Sequence, residues 1–412
     1  MSAPDFETIQ ECRGCSSRGL VDILDLGVQP LANALVKDKS LPVKKFPLTT
    51  AFCPECSLFQ LKETIKKEIL FDHYVWVTKT AKGAREYAAI FASRVIQRAG
   101  LNADDLIFEI ASNDGTVLKQ FLAQGISVVG IEPAKNIAEM ASIEGVRTDC
   151  AYWNVATAKR MIKEYGGPKV VIARNVIPHV SELHGVIEGI AHALTDEGTG
   201  VIEFHSGQII AEDLHYDSIY HEHLCFFTAH SLGWLLIKYG LYPYAVDSSP
   251  ISGGSLVCYF SKCKRAIEPS YLDVINEEKK SGINQRFVWE KFAKQSIEHR
   301  EKTQDLLNSL KGKVIVGFGS SARSSTFINF CGIGSNYLKA IIDNNSMKQG
   351  LMTPAGDVPI VSFEDGMSFK PDIIFILAWN FGQEIMDECT RRGFKGQYIM
   401  PFPKEPRLIT QS

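Results

Sequence analysis

Hydrophobic and polar positions change period several times along the 412-residue chain. Residues 81–100, AKGAREYAAIFASRVIQRAG, space their apolar side chains as a helix does and close on glycine, which predicts a helix ending there. LIFEIASNDG then reads as an apolar strand running into a turn of small and polar residues. FLAQGISVVGIEPA follows as a helix end, a short strand and an acidic tip, and KVVIARNVIPHV and GTGVIEFHS are two more buried strands. Between those two, SELHGVIEGIAHALTDEG reads as a helix, and the alternation as a whole predicts an α/β fold with a parallel, doubly wound sheet. After the helical stretch NEEKKSGINQRFVWEKFAKQSIEHREKTQDLLNSLKG a second alternation begins. GKVIVGFGSSARSSTFINFCG, LKAIIDNNSMKQG, DIIFILAWNFGQEIMDEC and GQYIMPFP predict four strands with intervening helices, a second Rossmann-like unit that is no obvious repeat of the first.

Length alone favours two or three domains. Apolar residues at 45% and charged residues at 22% are ordinary for a soluble globular chain, and a formal net charge of −3 argues against a nucleic-acid or anionic-membrane binder. No apolar run reaches membrane-spanning length, and MSAPDFETIQEC has neither the basic nor the apolar part of a signal peptide, so the cytoplasm is the expected location. Cysteines there stay reduced or bind metal. Cys12 and Cys15 in ECRGC and Cys53 and Cys56 in FCPEC form two C-x-x-C knuckles, a tetrahedral S4 set suited to zinc, with residues 16–52 as an extended insert. A redox dithiol would need one reactive pair rather than two. Zinc is therefore expected as a fold staple with no open coordination position, in a region with little core of its own. Cys150, Cys225, Cys258, Cys263, Cys331 and Cys389 are scattered and read as core or incidental.

Ligands in open α/β sheets sit at the carboxyl ends of the strands. The first such loop, EIASNDGTVL, lacks G-x-G-x-x-G; Glu109 opens it, Ser112, Asn113 and Asp114 offer polar groups, and Gly115 allows close backbone approach. The next strand ends in Glu132 and Pro133, where the carboxylate can accept from a ribose diol. A turn without the phosphate fingerprint followed by an acidic ribose partner suits S-adenosylmethionine better than NAD; a plain βα turn with a solvated acid is the alternative. In the C-terminal unit, GFGSSARSSTF sets Gly319, Ser321 and Arg323 between strand and helix, an arrangement that favours phosphate. Asp343 ends the next strand, Lys348 lies in the following loop, and Trp379 and Asn380 end the third, where an aromatic face can meet a base. A silent Rossmann-like domain is the alternative, since fold does not determine function. A dehydrogenase is the weaker reading, because GFGSSA lacks the last glycine of the fingerprint.

YHEHLCFF, residues 220–227, leaves three readings open: a proton-transfer site, a structural hydrogen-bonded cluster, or a metal site completed by His205 or His215. EIASNDGTVL, GIEPAKNIA, RNVIPHV and DSIYHEHLCFFT resemble the methyltransferase core of the sugar 3-C-methyltransferase family, which acts on nucleotide-linked 4-keto-deoxysugars. The paired C-x-x-C knuckles are similar to its N-terminal zinc domain, and SPISGGSLVCYF, DNNSMKQGLMTPAGDVPI and LAWNFGQEI to its C-terminal domain. The resemblance spans nearly the whole chain in consistent order. It implies a class I methyltransferase Rossmann-like domain at residues 71–245, between a small zinc-binding domain at 1–70 and a second Rossmann-like α/β domain at 246–412 that helps hold the nucleotide-sugar.

The resemblance also implies the chemistry. A ketone at C4 acidifies the C3 proton, and its removal gives an enolate that attacks the sulfonium methyl of S-adenosylmethionine. That requires a base, a group for the enolate oxygen, and alignment. The matching positions are His223 as base, Glu222 beside it, and Tyr220, His179 or Tyr74 to polarise the ketone, with Asn175 at a cofactor-facing strand end. Where the family carries serines after the tyrosine of the Tyr74 segment, this chain has VWVTKT, with Trp76 and Lys79; Lys79 either neutralises a pyrophosphate or is solvated. The expected partner is a nucleotide-linked keto-sugar, thymidine diphosphate being the family's usual carrier. Neither nucleic acid nor membrane is expected, and three domains can enclose a site within a monomer.

Overall fold

The computed structural model describes residues 4–38, 40, 42–66, 69–70, 78–80, 82–354 and 357–410. The first expected helix forms as Lys82–Ala99, and Gly100 ends it. The four expected strands form as Leu106–Ile110, Ser127–Ile131, Val170–Arg174 and Thr199–His205 and pair in parallel. They belong to a seven-stranded sheet whose spatial order is 242–249, 255–261, 199–205, 170–174, 106–110, 127–131, 148–149. The order reverses between Leu106–Ile110 and Val170–Arg174, and at such a point the carboxyl ends of the strands open a ligand crevice. Ser255–Ser261 is antiparallel to both of its neighbours. SPISGGSLVCYF, which resembles a C-terminal domain, thus completes the middle sheet, and the expected border between residues 245 and 246 falls inside the strand Tyr242–Ser249. Burial explains the placement: Val257 and Tyr259 fill the core on one face of the sheet, Cys258 and Phe260 the core on the other.

The insert between the cysteine knuckles is a long hairpin, Val21–Pro30 with Lys45–Phe52, extended by Phe59–Leu61 into an antiparallel sheet. This region buries Leu24, Leu26, Leu48, Phe52, Leu58 and Phe59, so it holds more core than expected. Part of that core is borrowed. Phe59 stacks on Trp289 at 3.9 Å and meets Phe292 edge-on at 6.1 Å, both from the helix Arg286–Ser309. The fourth strand of this sheet is Cys225–Phe226, from YHEHLCFF.

In the C-terminal unit the expected strands Ile315–Phe318, Leu338–Ile342, Ile373–Ile376 and Gln397–Met400 form, with short edge strands Ile360–Val361 and Arg407–Thr410 added at the two ends. All pairs are parallel except the last. Among the described residues no helix is long and apolar enough to cross a membrane.

Candidate active site

Both cysteine knuckles are built alike. Ser16 N–H donates to the Cys12 carbonyl and Ser57 N–H to that of Cys53, each at 2.9 Å, and both serines adopt a positive φ, 63° and 60°. The turns bring the four sulfur atoms within 4.8 Å of one another, with Cys12 to Cys56 at 3.5 Å and Cys15 to Cys53 at 3.4 Å. Sulfurs about 2.3 Å from a central zinc are about 3.8 Å apart, so the set fits the ion. Gln60 Nε2 donates to Cys12 Sγ at 3.1 Å, and Gln60 is itself the backbone partner of Cys225.

At the crevice, Ala111, Asn113 and Asn175 all have φ of 51°, uncommon for residues with a Cβ, and all lie at carboxyl ends of strands. Glu132 accepts from the backbone N–H of Asn113 and of Ala134, each at 2.9 Å, while burial raises its pKa against these bonds. Pro133 follows it, its carbonyl accepting from the Cys150 thiol at 3.7 Å. Asn113 Oδ1 accepts from Thr78 N at 3.0 Å and Asp114 Oδ2 from Lys79 N at 3.0 Å, so both fasten the turn Thr78–Thr80 over the crevice. Asp114 also accepts from the Thr116 hydroxyl at 2.7 Å. Gly115 has φ of 72°, and a Cβ there would meet Val146 at 2.7 Å. Two buried atoms of this loop have no partner among the described residues: Glu109 Oε2 and Ser112 Oγ. Burial pushes Glu109 up to about 8. Open polar atoms beside a crevice of this topology fit a small polar cofactor. Asn175 Nδ2 donates to Glu203 Oε2 at 3.2 Å; sequence reading passed over Glu203, which also holds Arg174 at 2.8 Å and the Ser249 hydroxyl at 2.6 Å.

The Tyr-His-Glu-His segment lies between the zinc-binding region and the middle sheet. His223 Nδ1 is 2.7 Å from the Ser218 carbonyl, which only accepts, so Nδ1 carries the ring proton. Nε2 then holds the lone pair, and the Tyr220 hydroxyl donates to it at 2.7 Å. The His179 ring lies edge-on to His223 at 4.6 Å. Burial, and then the neighbouring His179, hold His223 well below its ordinary pKa; burial brings His179 down to about 4. Both imidazoles are therefore neutral near pH 7. Glu222 is pushed up to about 7 by burial, against a hydrogen bond from Asn33. His221 turns away and donates through Nε2 to the Pro47 carbonyl at 3.0 Å. Tyr74 and Trp76 lie outside the described residues.

The C-terminal groups are placed differently from one another. Arg323 makes a two-pronged ion pair with Asp217, Nε to Oδ2 at 3.0 Å and Nη2 to Oδ1 at 2.8 Å, and Trp379 Nε1 donates to the same carboxylate at 2.7 Å. Asp217 directly precedes Ser218, so these two side chains grip the segment that carries His223. Ser321 caps the helix Ala322–Phe330, and Gly319 has φ of 97° where a Cβ would meet Ala378 at 2.4 Å. Asp343 accepts from Ser320 N at 2.8 Å, Lys348 Nζ donates to the Ser320 carbonyl at 2.5 Å, and Asn380 is exposed. Lys79 pairs with Glu144 at 2.6 Å. His205 and His215 lie 3.4 Å apart, and the described residues offer no metal-ligating group of three besides the four cysteines.

Three family profiles match in chain order: a zinc binding domain over residues 12–71, a methyltransferase domain over 84–246 and a C-methyltransferase C-terminal domain over 250–403. The C-methyltransferase NovU of Streptomyces niveus is 29% identical over 411 residues, spanning 98% of this chain and 97% of that protein. The chain is thus similar to C-methyltransferases along nearly its whole length, in all three parts and in the same order. It is an S-adenosylmethionine-dependent C-methyltransferase with a structural zinc site at Cys12, Cys15, Cys53 and Cys56. Among solved structures, magnesium protoporphyrin IX methyltransferase of Synechocystis with bound S-adenosylmethionine is 12% identical, with a TM-score of 0.35 over 48% of this chain and 89% of that one. An S-adenosylmethionine-dependent methyltransferase of Clostridium acetobutylicum is 9% identical, with a TM-score of 0.35 over 43% of this methyltransferase and 91% of that chain.

The Asp217–Arg323 pair joins the turn Tyr216–Ser218 to the helix Ala322–Phe330 and is almost wholly buried on the carboxylate side, at 1% exposure. Asp217→Ala strands a guanidinium, and breaking one side of a buried pair costs about 3 to 5 kcal/mol. The methyltransferase should lose stability by that amount in denaturant unfolding; a loss under about 0.5 kcal/mol would show that the pair is solvated.

Proposed function

We propose that this methyltransferase transfers a methyl group to C3 of a nucleotide-linked 4-keto-deoxyhexose, the nucleotide being thymidine diphosphate. The observation that carries the reading is the base itself: a neutral imidazole whose proton is fixed on Nδ1 by Ser218, leaving the Nε2 lone pair beside a phenol. Carbon is a methyl acceptor only as a carbanion, so a C-methyltransferase needs a base matched to a carbonyl-acidified proton. S-adenosylmethionine supplies the electrophilic methyl. His223 Nε2 takes the C3 proton as the substrate displaces the Tyr220 hydroxyl, which then donates to the ketone oxygen as charge grows there. His179 shields the imidazole, Glu222 assists it, and Glu109, Ser112 and Glu132 hold the cofactor.

The C-terminal unit supports a role in holding the nucleotide, through Ser321, Lys348 and the exposed Asn380. Arg323 and Trp379 serve the same site from behind, through Asp217. In deuterated buffer with S-adenosylhomocysteine, the enzyme should exchange C3–H of a thymidine-diphosphate 4-keto-sugar, and with S-adenosylmethionine it should methylate that carbon. Methylation at another position without C3 exchange would replace this reading by a different regiochemistry.

A further inference from the structure

Glu222 is buried at 6% exposure, yet its carboxylate receives one hydrogen bond among the described residues: Asn33 Nδ2 donates to Oε1 at 2.7 Å. Asn33 comes from the zinc-binding domain, in the turn after the strand Val21–Pro30, and is exposed. The amide therefore stands at the surface with the carboxylate buried beneath it. Three more contacts hold the two segments in register. Leu61 N donates to the Leu224 carbonyl at 2.9 Å, His221 bonds to Pro47, and Cys225 and Phe226 pair with Gln60 and Phe59.

The geometry points to Asn33 as a positioning residue of the active site, which fixes the carboxylate of Glu222 so that Oε1 stays an acceptor and any proton resides on Oε2. An amide N–H only donates, and a carbonyl oxygen accepts more strongly than a hydroxyl oxygen, so the bond favours the proton on the other oxygen. Oε2, with no partner among the described residues, is the atom at which Glu222 takes up or gives up a proton. The titratable neighbours are His221 and His223 on its own segment, both lowered by burial, and His179 on the facing turn, held near 4 by burial. Tyr220 completes the set, and no charged group pairs with Glu222 among the described residues. With the surrounding imidazoles neutral, the Asn33 bond is the one local contact that favours the ionised carboxylate over burial. The zinc-binding domain then contributes to the reacting centre and is more than a staple.

The importance of Glu222 to turnover rests on the proposed function; its titration does not. The test is the midpoint of the Glu222 carboxyl in the zinc-loaded, ligand-free protein, read by 13C NMR on labelled glutamate and assigned by loss of the signal in Glu222→Gln. Asn33→Leu has no donor and should raise the midpoint by about one pH unit, the size expected for losing a hydrogen bond to a charged group. Asn33→Gln keeps an amide at an exposed position and should stay nearer the parent value. Zinc content and melting should not change in either variant. An unchanged or lowered midpoint in Asn33→Leu overturns the inference. A raised midpoint with kcat unaltered upholds it and removes Glu222 from the proposed mechanism instead.

Discussion

His223→Ala is expected to lower kcat by roughly 10²- to 10⁴-fold, the usual contribution of a positioned acid or base, while binding of S-adenosylhomocysteine and of the nucleotide-sugar stays within about twofold. The two halves of this expectation have separate structural grounds. His223 hydrogen-bonds to Ser218 and Tyr220 and, among the described residues, to none of Glu109, Ser112 and Glu132, so its removal leaves the crevice intact. What disappears is the Nε2 lone pair that Ser218 orients and Tyr220 occupies. Tyr220→Phe should cost less, because it removes the donor to the ketone and leaves the base in its tautomer. Solvent exchange at C3 separates the two: it should vanish in His223→Ala and persist, slowed, in Tyr220→Phe. Full exchange in His223→Ala would transfer the role of base to another group, with Glu222, near 7, the first to examine.

The strand-end turns of the middle sheet were legible because their information is local. A strand ending in EIASNDG announces its own turn, and Gly115 and Asn113 adopt the positive φ that the turn demands. The zinc site was legible for the same reason, each knuckle being a four-residue unit. Contacts between distant segments were not. Asn33 and Glu222 are 189 residues apart, and nothing in LANALV marks an amide that will meet a carboxylate. Arg323 illustrates a contact of the same distant kind. An arginine at a helix start after a glycine-rich strand end reads as a phosphate ligand, and only the fold brings Asp217, 106 residues away, to occupy it. Cys225 read as core or incidental because a two-residue strand carries no periodicity; its partner strand lies in another domain.

That two-residue strand makes the second large effect a consequence of metal loss. Purified protein should carry about one zinc per chain, and chelation or Cys56→Ser should abolish turnover even though the ion is remote from the transferred methyl. Zinc in small domains contributes on the order of 10 kcal/mol of folding free energy. The apolar core shared with Trp289 and Phe292 should preserve partial structure here, so the expected result is local loss of order and not global unfolding. Gln60 links the two sites: its amide donates to Cys12 Sγ, and its backbone pairs with Cys225, two residues beyond His223. Without the metal the strand Phe59–Leu61 loses its anchor at that end, and Cys225–Phe226 loses its partner. Hydrogen exchange should accelerate at both strands and at Leu224, while Leu106–Ile110 and Val170–Arg174, deep in the middle sheet, keep their protection. S-adenosylhomocysteine binding should survive, since the residues proposed to hold it, Glu109, Ser112 and Glu132, lie on the middle sheet or just after its strands. A metal-free protein with full activity and unchanged exchange at Cys225–Phe226 would show that the zinc-binding domain and the catalytic segment are energetically independent.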